Sequence, residues 1–245
     1  TDLGSTHLAD MLNDANRTGY YTQLISLSAK WAKTPEASDM LAYGKDFIAL
    51  ELSIFSQWLV KDFIAENVDK NQLKMWESSC DLLTKAMLEQ PTVTVHRDYH
   101  SRNIMHSNSQ WAIIDYQDTV RGPLCYDLVS LLRDCYFKLP DDELAQLLVF
   151  GYNEFKRQGL VANTSFEQFK VWFDLTGLQR HLKAAGIFCR LYLRDGKTGY
   201  LANILPTLEY ITEIAARYPE LNALGDWVKN TIAPKVIKKL EQVSL

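Results

Sequence analysis

The chain has 245 residues, 47% of them apolar, which excludes a disordered protein and allows one large or two small packed domains. Its formal net charge is −4 with a pI near 5.7, so it has no global electrostatic attraction for nucleic acid or an anionic membrane surface. No apolar run reaches membrane-spanning length, and Cys80, Cys125, Cys135 and Cys189 show no CxxC pair; they read as reduced core residues of a cytoplasmic protein.

In chain order, Ser5 caps a predicted short helix running to Asn16, and a second helix is expected over 18–32. From Lys45 to Ala65 the apolar residues Phe47, Ile48, Leu52, Phe55, Trp58, Leu59 and Phe63 recur at helical spacing. A further helix fills 70–89 and stops before Pro91. The period then changes. Thr92–Val95 and Trp111–Ile114 are short β-type runs, with a turn signal at Ser107-Asn108-Ser109. Residues 91–116 therefore form a small β island around an irregular loop, in an otherwise mainly α chain. Helical patterning returns at Leu124 and persists to the end, broken near Pro140, 159–163, 195–199 and Pro219.

The loop inside the island reads His96-Arg97-Asp98-Tyr99-His100-Ser101-Arg102-Asn103, the H-R-D-x-x-x-x-N pattern of a kinase catalytic loop. Asp98 is placed to orient an attacking hydroxyl and accept its proton. Asn103, five residues on, turns back to hold a metal. At the end of the second β run, Asp115 supplies the next oxygen ligand, and Mg²⁺ suits such a site because it shares few protein oxygens with nucleotide phosphates. Asp127, in the first turn of a predicted helix after Gly122-Pro123, is read as support for the catalytic loop, with direct catalysis as the alternative. His96 is read as scaffold. His100 and Arg102 lie within the loop, Arg102 either near the transferred phosphate or bracing an acid.

With these residues in view, His96–Asn103, Ile114–Asp118 and Gly122–Leu132 resemble the aminoglycoside phosphotransferase superfamily, kinase-like enzymes that phosphorylate small molecules. The motifs Glu51-x-x-x-Phe55-x-x-Trp58, Gln179–Lys183 and Phe188–Lys197 are similar to those of bacterial anomeric kinases for N-acetylmuramate and N-acetylglucosamine, which serve cell-wall recycling. The resemblance implies ATP and Mg²⁺ as cofactors and an amino sugar as substrate. It also implies that residues 1–245 are the C-terminal lobe of a kinase-like fold, with catalytic loop and metal site at 92–118 and a helical substrate side at 124–245. No glycine-rich phosphate loop occurs, the chain opens at Thr1 rather than methionine, and Asp2-Leu3-Gly4 resembles the stretch after the interlobe hinge. The expectation is thus a missing N-terminal ATP lobe and a chain nearly inactive alone. Gly196-Lys197-Thr198 is no Walker loop, because the position that would need the first glycine is Leu191.

Projected at about 100° per residue, Arg180, Lys183, Arg190 and Arg194 fall in a stripe about 80° wide, opposite Leu178, Leu182, Ala185, Cys189 and Leu193. The stripe is either a solvated basic face or a grip for a substrate carboxylate, provided that Gly177 and Gly186 leave the helix unbroken. Glu51 lies on the apolar face of its helix and must be paired, in an ion pair or with a sugar hydroxyl. The competing readings are a phosphotransferase for an aminoglycoside, a choline-like amine or another alcohol, and a non-catalytic scaffold built on a kinase lobe.

Overall fold

The computed structural model describes residues 6–35, 37, 40–107 and 110–243. Within these, helices dominate, as the periodicity predicts: α1 (Leu8–Met11), α2 (Arg17–Trp31), α3 (Lys45–Ile54), α4 (Lys70–Leu88), α5 (Tyr126–Leu132), α6 (Asp141–Arg157), α7 (Phe166–Asp195), α8 (Ile204–Ala215), α9 (Asn222–Trp227) and α10 (Ala233–Val243). No helix among the described residues is long and apolar enough to cross a membrane. The chain divides into two compact units. The first comprises the chain up to Gly44 together with Met87–Gly177, and the second comprises Lys45–Ala86 and the chain from Leu178.

In the first unit, α2 packs against α5 and α6. Its buried residues Arg17, Tyr21, Leu24, Ile25, Ser28 and Ala29 repeat at the three-four spacing of one helix face. Gly151 of α6 makes this approach close: a methyl there would lie 3.2 Å from Leu128 and 3.6 Å from Ile25. The expected helix from Ser5 to Asn16 shortens to the four residues of α1, and Ser5 itself lies outside the described residues. The reason is local. The Asn13 side-chain oxygen accepts the Ala15 and Asn16 amides at 3.0 and 3.2 Å, an Asx turn that competes with helix.

The expected β island is two separate antiparallel ladders: β1 (Thr92–Val95) with β4 (Val120–Pro123), and β2 (Ile104–Ser107) with β3 (Gln110–Ile113). The strand β4 escapes the sequence reading because Gly122 and Pro123 argue against strand. Pro123 closes the ladder opposite Thr92, and Arg121 is secured from its other side by backbone bonds to Leu41 and Tyr43 at 2.8 and 2.7 Å. Asn108 and Ser109 of the predicted turn lie outside the described residues.

In the second unit the predicted helix 45–65 changes pitch at its middle, from α3 to a π-helical stretch over Phe55–Phe63. The change falls where α7 comes closest. A methyl on Gly186 would lie 2.4 Å from the Ile54 carbonyl oxygen and 2.6 Å from its carbon, so only glycine permits the contact. Glycine here serves packing and leaves α7 unbroken. Gly177, in the first unit, is likewise inside α7, with its α-carbon facing Arg133. In the second unit Phe55, Trp76 and Trp227 form an aromatic cluster with ring centroids 5.4–6.5 Å apart.

Two glycine-to-alanine changes separate packing from propensity. Gly186→Ala forces backbone apart and is expected to lower unfolding free energy by about 1–3 kcal/mol. Gly19→Ala, in α2 with nothing within 4 Å of the added methyl, is expected to raise it by up to about 1 kcal/mol. Urea denaturation of both variants measures the contrast.

Candidate active site

The site begins with Asp127, buried in the first turn of α5. Its two carboxylate oxygens accept the successive amides of His96 and Arg97 at 2.7 and 3.0 Å. These are the residues just past β1, so the carboxylate bends the chain sharply out of the strand. Arg97 takes φ +77°, a strained conformation for a non-glycine residue. Ser130, one helical turn past Asp127, places its hydroxyl 3.3 Å from the Arg97 carbonyl. Asp127 is a support of the loop backbone here.

His96 is fully buried and its Nε2 donates to the Ile114 carbonyl at 3.0 Å. Burial lowers its pKa below the ordinary 6.5, against the opposing pull of Asp98, so the ring is neutral and carries its proton on Nε2. Ile114 in turn donates its N–H to the Asn103 carbonyl at 3.0 Å, extending the β2–β3 ladder one step beyond the Ile104–Ile113 pair. Asn103 and Asp115 are thereby brought to adjoining ends of one hairpin. Asp115 leaves it at φ +65°, a left-handed turn that Asp tolerates better than most residues.

Asp98 is half-buried on the loop between these anchors. Its carbonyl accepts the His100 amide at 3.0 Å and the Asn103 side-chain amide at 3.1 Å. With its nitrogen so engaged, Asn103 turns its amide oxygen away from the Asp98 carbonyl. The exposed Asp115 carboxylate accepts from the Gln117 side-chain amide, and it and the Asn103 amide oxygen are the candidate oxygen donors for a metal. Among the described residues no group of three or more His, Cys, Asp or Glu side chains is arranged to hold a metal. A pair of hard oxygens fits Mg²⁺ shared with phosphates rather than a metal caged by protein alone.

Two residues absent from the sequence reading complete the loop. Asp134, just past α5, accepts the Ser101 and Tyr136 amides at 2.9 Å each. Tyr136 faces two side chains of the loop: the Arg102 guanidinium carbon lies 3.7 Å from its ring centroid, and the His100 ring meets it edge-on at 5.4 Å. Asp134 follows the predicted helix as an ordinary acid, and nothing in its spacing marks it as a brace.

The remaining predicted residues lie in the second unit. Glu51 is buried and bonds Lys183 Nζ at 2.7 Å and the Gln179 amide at 3.1 Å. Lys183 thus leaves the predicted cationic stripe for an ion pair. Arg194 pairs with its neighbour Asp195 at 2.7 Å, and Arg180 and Arg190 are half-buried. On the opposite face Leu178, Leu182, Ala185 and Cys189 are fully buried, whereas Leu193 is exposed. Thus Asp98, His96, His100, Arg102, Asn103, Asp115 and Asp127 gather in the first unit, while Glu51, Arg180, Arg190 and Arg194 belong to the second.

Residues 1–160 match the family model described as the phosphotransferase enzyme family, and the chain belongs to that family; it is a small-molecule kinase. Among curated relatives, it is 34% identical over 227 residues to an N-acetylmuramate/N-acetylglucosamine kinase of Neisseria meningitidis serogroup B, covering 91% of this chain and 68% of that protein. It is 34% identical over 226 residues to the kinase of the same name from Pseudomonas aeruginosa, covering 92% and 67%. Among solved structures, a choline kinase from Cryptosporidium parvum matches with TM-score 0.59 at 14% identity, over 93% of this chain and 72% of that one. A Plasmodium vivax ethanolamine kinase matches with TM-score 0.60 at 11% identity, over 90% and 65%. These two likenesses concern the fold. The expectation of a missing N-terminal lobe gains no support from any of these matches.

Two outcomes follow from the anchors. Asp127→Ala strands two buried amides and is expected to cost about 2–4 kcal/mol of unfolding free energy in urea, with Asp127→Asn costing less because one acceptor remains. Because burial depresses the folded-state pKa of His96, the unfolded chain takes up the proton first as pH falls below 6.5. His96 therefore removes stability from pH 6.5 down through its folded value. His96→Gln keeps a donor toward Ile114, and its melting temperature should fall less than wild type's between pH 7 and pH 5.

Proposed function

We propose that the protein is an ATP-dependent sugar kinase acting on the anomeric hydroxyl of an N-acetylated amino sugar, with N-acetylmuramate and N-acetylglucosamine as acceptors. The observation supporting this reading is the Ile114 peptide, whose carbonyl accepts from His96 and whose amide donates to the Asn103 carbonyl, so that Asn103 and Asp115 flank one hairpin. The relatives' names supply the acceptor class.

In this reading Asp98 receives the acceptor hydroxyl and takes its proton as the oxygen bonds to the γ-phosphorus and the bond to the leaving ADP oxygen breaks. An anomeric hydroxyl is more acidic than other sugar hydroxyls, so a carboxylate is a sufficient base. Asn103 and Asp115 would hold Mg²⁺, which when bound would supply charge neutralisation for the phosphate oxygens. Asp127 and His96 keep the loop in the one backbone path that presents Asp98. A mild pull on the proton and accurate placement are what this chemistry asks of a protein.

The test is ATP consumption by the purified protein with N-acetylmuramate, N-acetylglucosamine and an aminoglycoside, beside Asp98→Ala. Sugar-dependent turnover is expected, with the variant slower by on the order of 10²- to 10⁴-fold. Turnover with the aminoglycoside alone, or an Asp98→Ala variant as fast as wild type, would refute the assignment.

A further inference from the structure

The stretch that carries Asp115 contains a side chain that proton abstraction and metal ligation leave unused. Residues 114–119 join the two ladders, and both ends of this stretch are fixed. At one end the Ile114 N–H donates to the Asn103 carbonyl, and at the other Val120 of β4 pairs with Val95 of β1. Between them Thr119 closes a turn on the Tyr116 carbonyl, which accepts its amide at 3.2 Å and its hydroxyl at 2.5 Å. Arg97 of the catalytic loop donates to the Asp118 carbonyl at 3.5 Å. Gln117 lies inside this turn, and its side-chain Nε2 donates back to Asp115 Oδ1 at 2.5 Å.

This bond bears on which cation the site prefers. Among the described residues no group of three His, Cys, Asp or Glu side chains could hold a metal, so selection cannot come from a protein cage. It must come from how each oxygen is offered. Mg²⁺ demands near-octahedral geometry at short distances, whereas Ca²⁺ accepts about six to eight oxygens, including both from one carboxylate. With Oδ1 engaged by an N–H, Asp115 offers Oδ2 to a metal that binds through one oxygen. Chelation through both oxygens competes with the hydrogen bond. A neutral amide is the right partner for this, because it donates without adding a second anionic ligand.

We propose that Gln117 confines Asp115 to ligation through one oxygen and so favours Mg²⁺ over Ca²⁺; this rests on the reading of Asp115 as a metal ligand above. Gln117 is a positioning residue. It acts through Asp115 and touches neither substrate nor metal. Both side chains are exposed, so loss of the bond between them costs the fold little.

The experiment counts free Mn²⁺ by its EPR signal in protein plus ADP, against ADP alone, and then displaces bound Mn²⁺ with Mg²⁺ or Ca²⁺. It compares wild type, Gln117→Leu, Gln117→Glu and Asp115→Ala, with melting temperatures taken alongside. The ratio of Mg²⁺ to Ca²⁺ affinity is expected to fall about 10-fold in Gln117→Leu, the scale on which partners of metal-binding carboxylates act. Gln117→Glu keeps the chain length but puts an acceptor where the donor stood, and should lower the ratio at least as far. In steady-state kinetics Gln117→Leu should raise KM for Mg²⁺ more than it lowers kcat. An unchanged ratio in both Gln117 variants, with or without a lower melting temperature, overturns the proposal and leaves the kinase reading intact. Wild-type protein that retains no more Mn²⁺ than ADP alone, or Asp115→Ala that retains as much as wild type, overturns the ligand assignment and this proposal together.

Discussion

One carboxylate governs the geometry of the active-site loop. Asp127 accepts two consecutive amides, those of His96 and Arg97, and so forces the chain leaving β1 into a turn that ordinary side chains avoid. The left-handed conformation of Arg97 stores strain of order 1–3 kcal/mol. Hydrogen bonds to a buried charge, each contributing about 1.5–3 kcal/mol, are strong enough to hold it. The carboxylate must be buried for this to work, since water would otherwise compete for the same amides. It is 6% exposed. Asp98 follows directly on this held peptide and is half-buried.

The second constraint is the Ile114 peptide, which joins two segments that the sequence presents as separate motifs. Its carbonyl accepts a hydrogen bond from His96 Nε2 and its amide donates to the Asn103 carbonyl, which ties the loop to the strand end. The coupling needs a neutral His96 with its proton on Nε2. Burial supplies this by disfavouring the imidazolium. No side chain of Ile114 enters the arrangement, so hydrophobic patterning shows the strand but not this function.

In the second unit the same economy of polar contacts operates around α7. Glu51, buried on an apolar helix face, is met by Lys183 and Gln179, which lie one turn apart. One further turn on, Gly186 admits the Ile54 backbone against the helix. A helix read from its charges as a basic face therefore pairs at least two of its four cations within the protein, Lys183 with Glu51 and Arg194 with Asp195. The stripe was legible because arginine and lysine recur at helical spacing. The pairing of Lys183 was not, because Glu51 lies more than a hundred residues away in the chain.

The sequence alone marked the residues proposed for catalysis. Asp98, Asn103 and Asp115 recur at a spacing that local chain mechanics explains, and helical periodicity located α2, α4, α6 and α7 without a partner in view. Tertiary structure decided what depends on distant pairing. Strand β4 forms against its glycine and proline because β1 and residues 41–43 supply hydrogen bonds on both sides. The Ser5–Asn16 helix stops early because Asn13 offers its own turn. Asp134 and Tyr136 join the site because α5 ends beside the loop, a placement with no local signature. Local rules read residues within a few turns of one another, whereas burial and long-range hydrogen bonds exist only once the chain has folded.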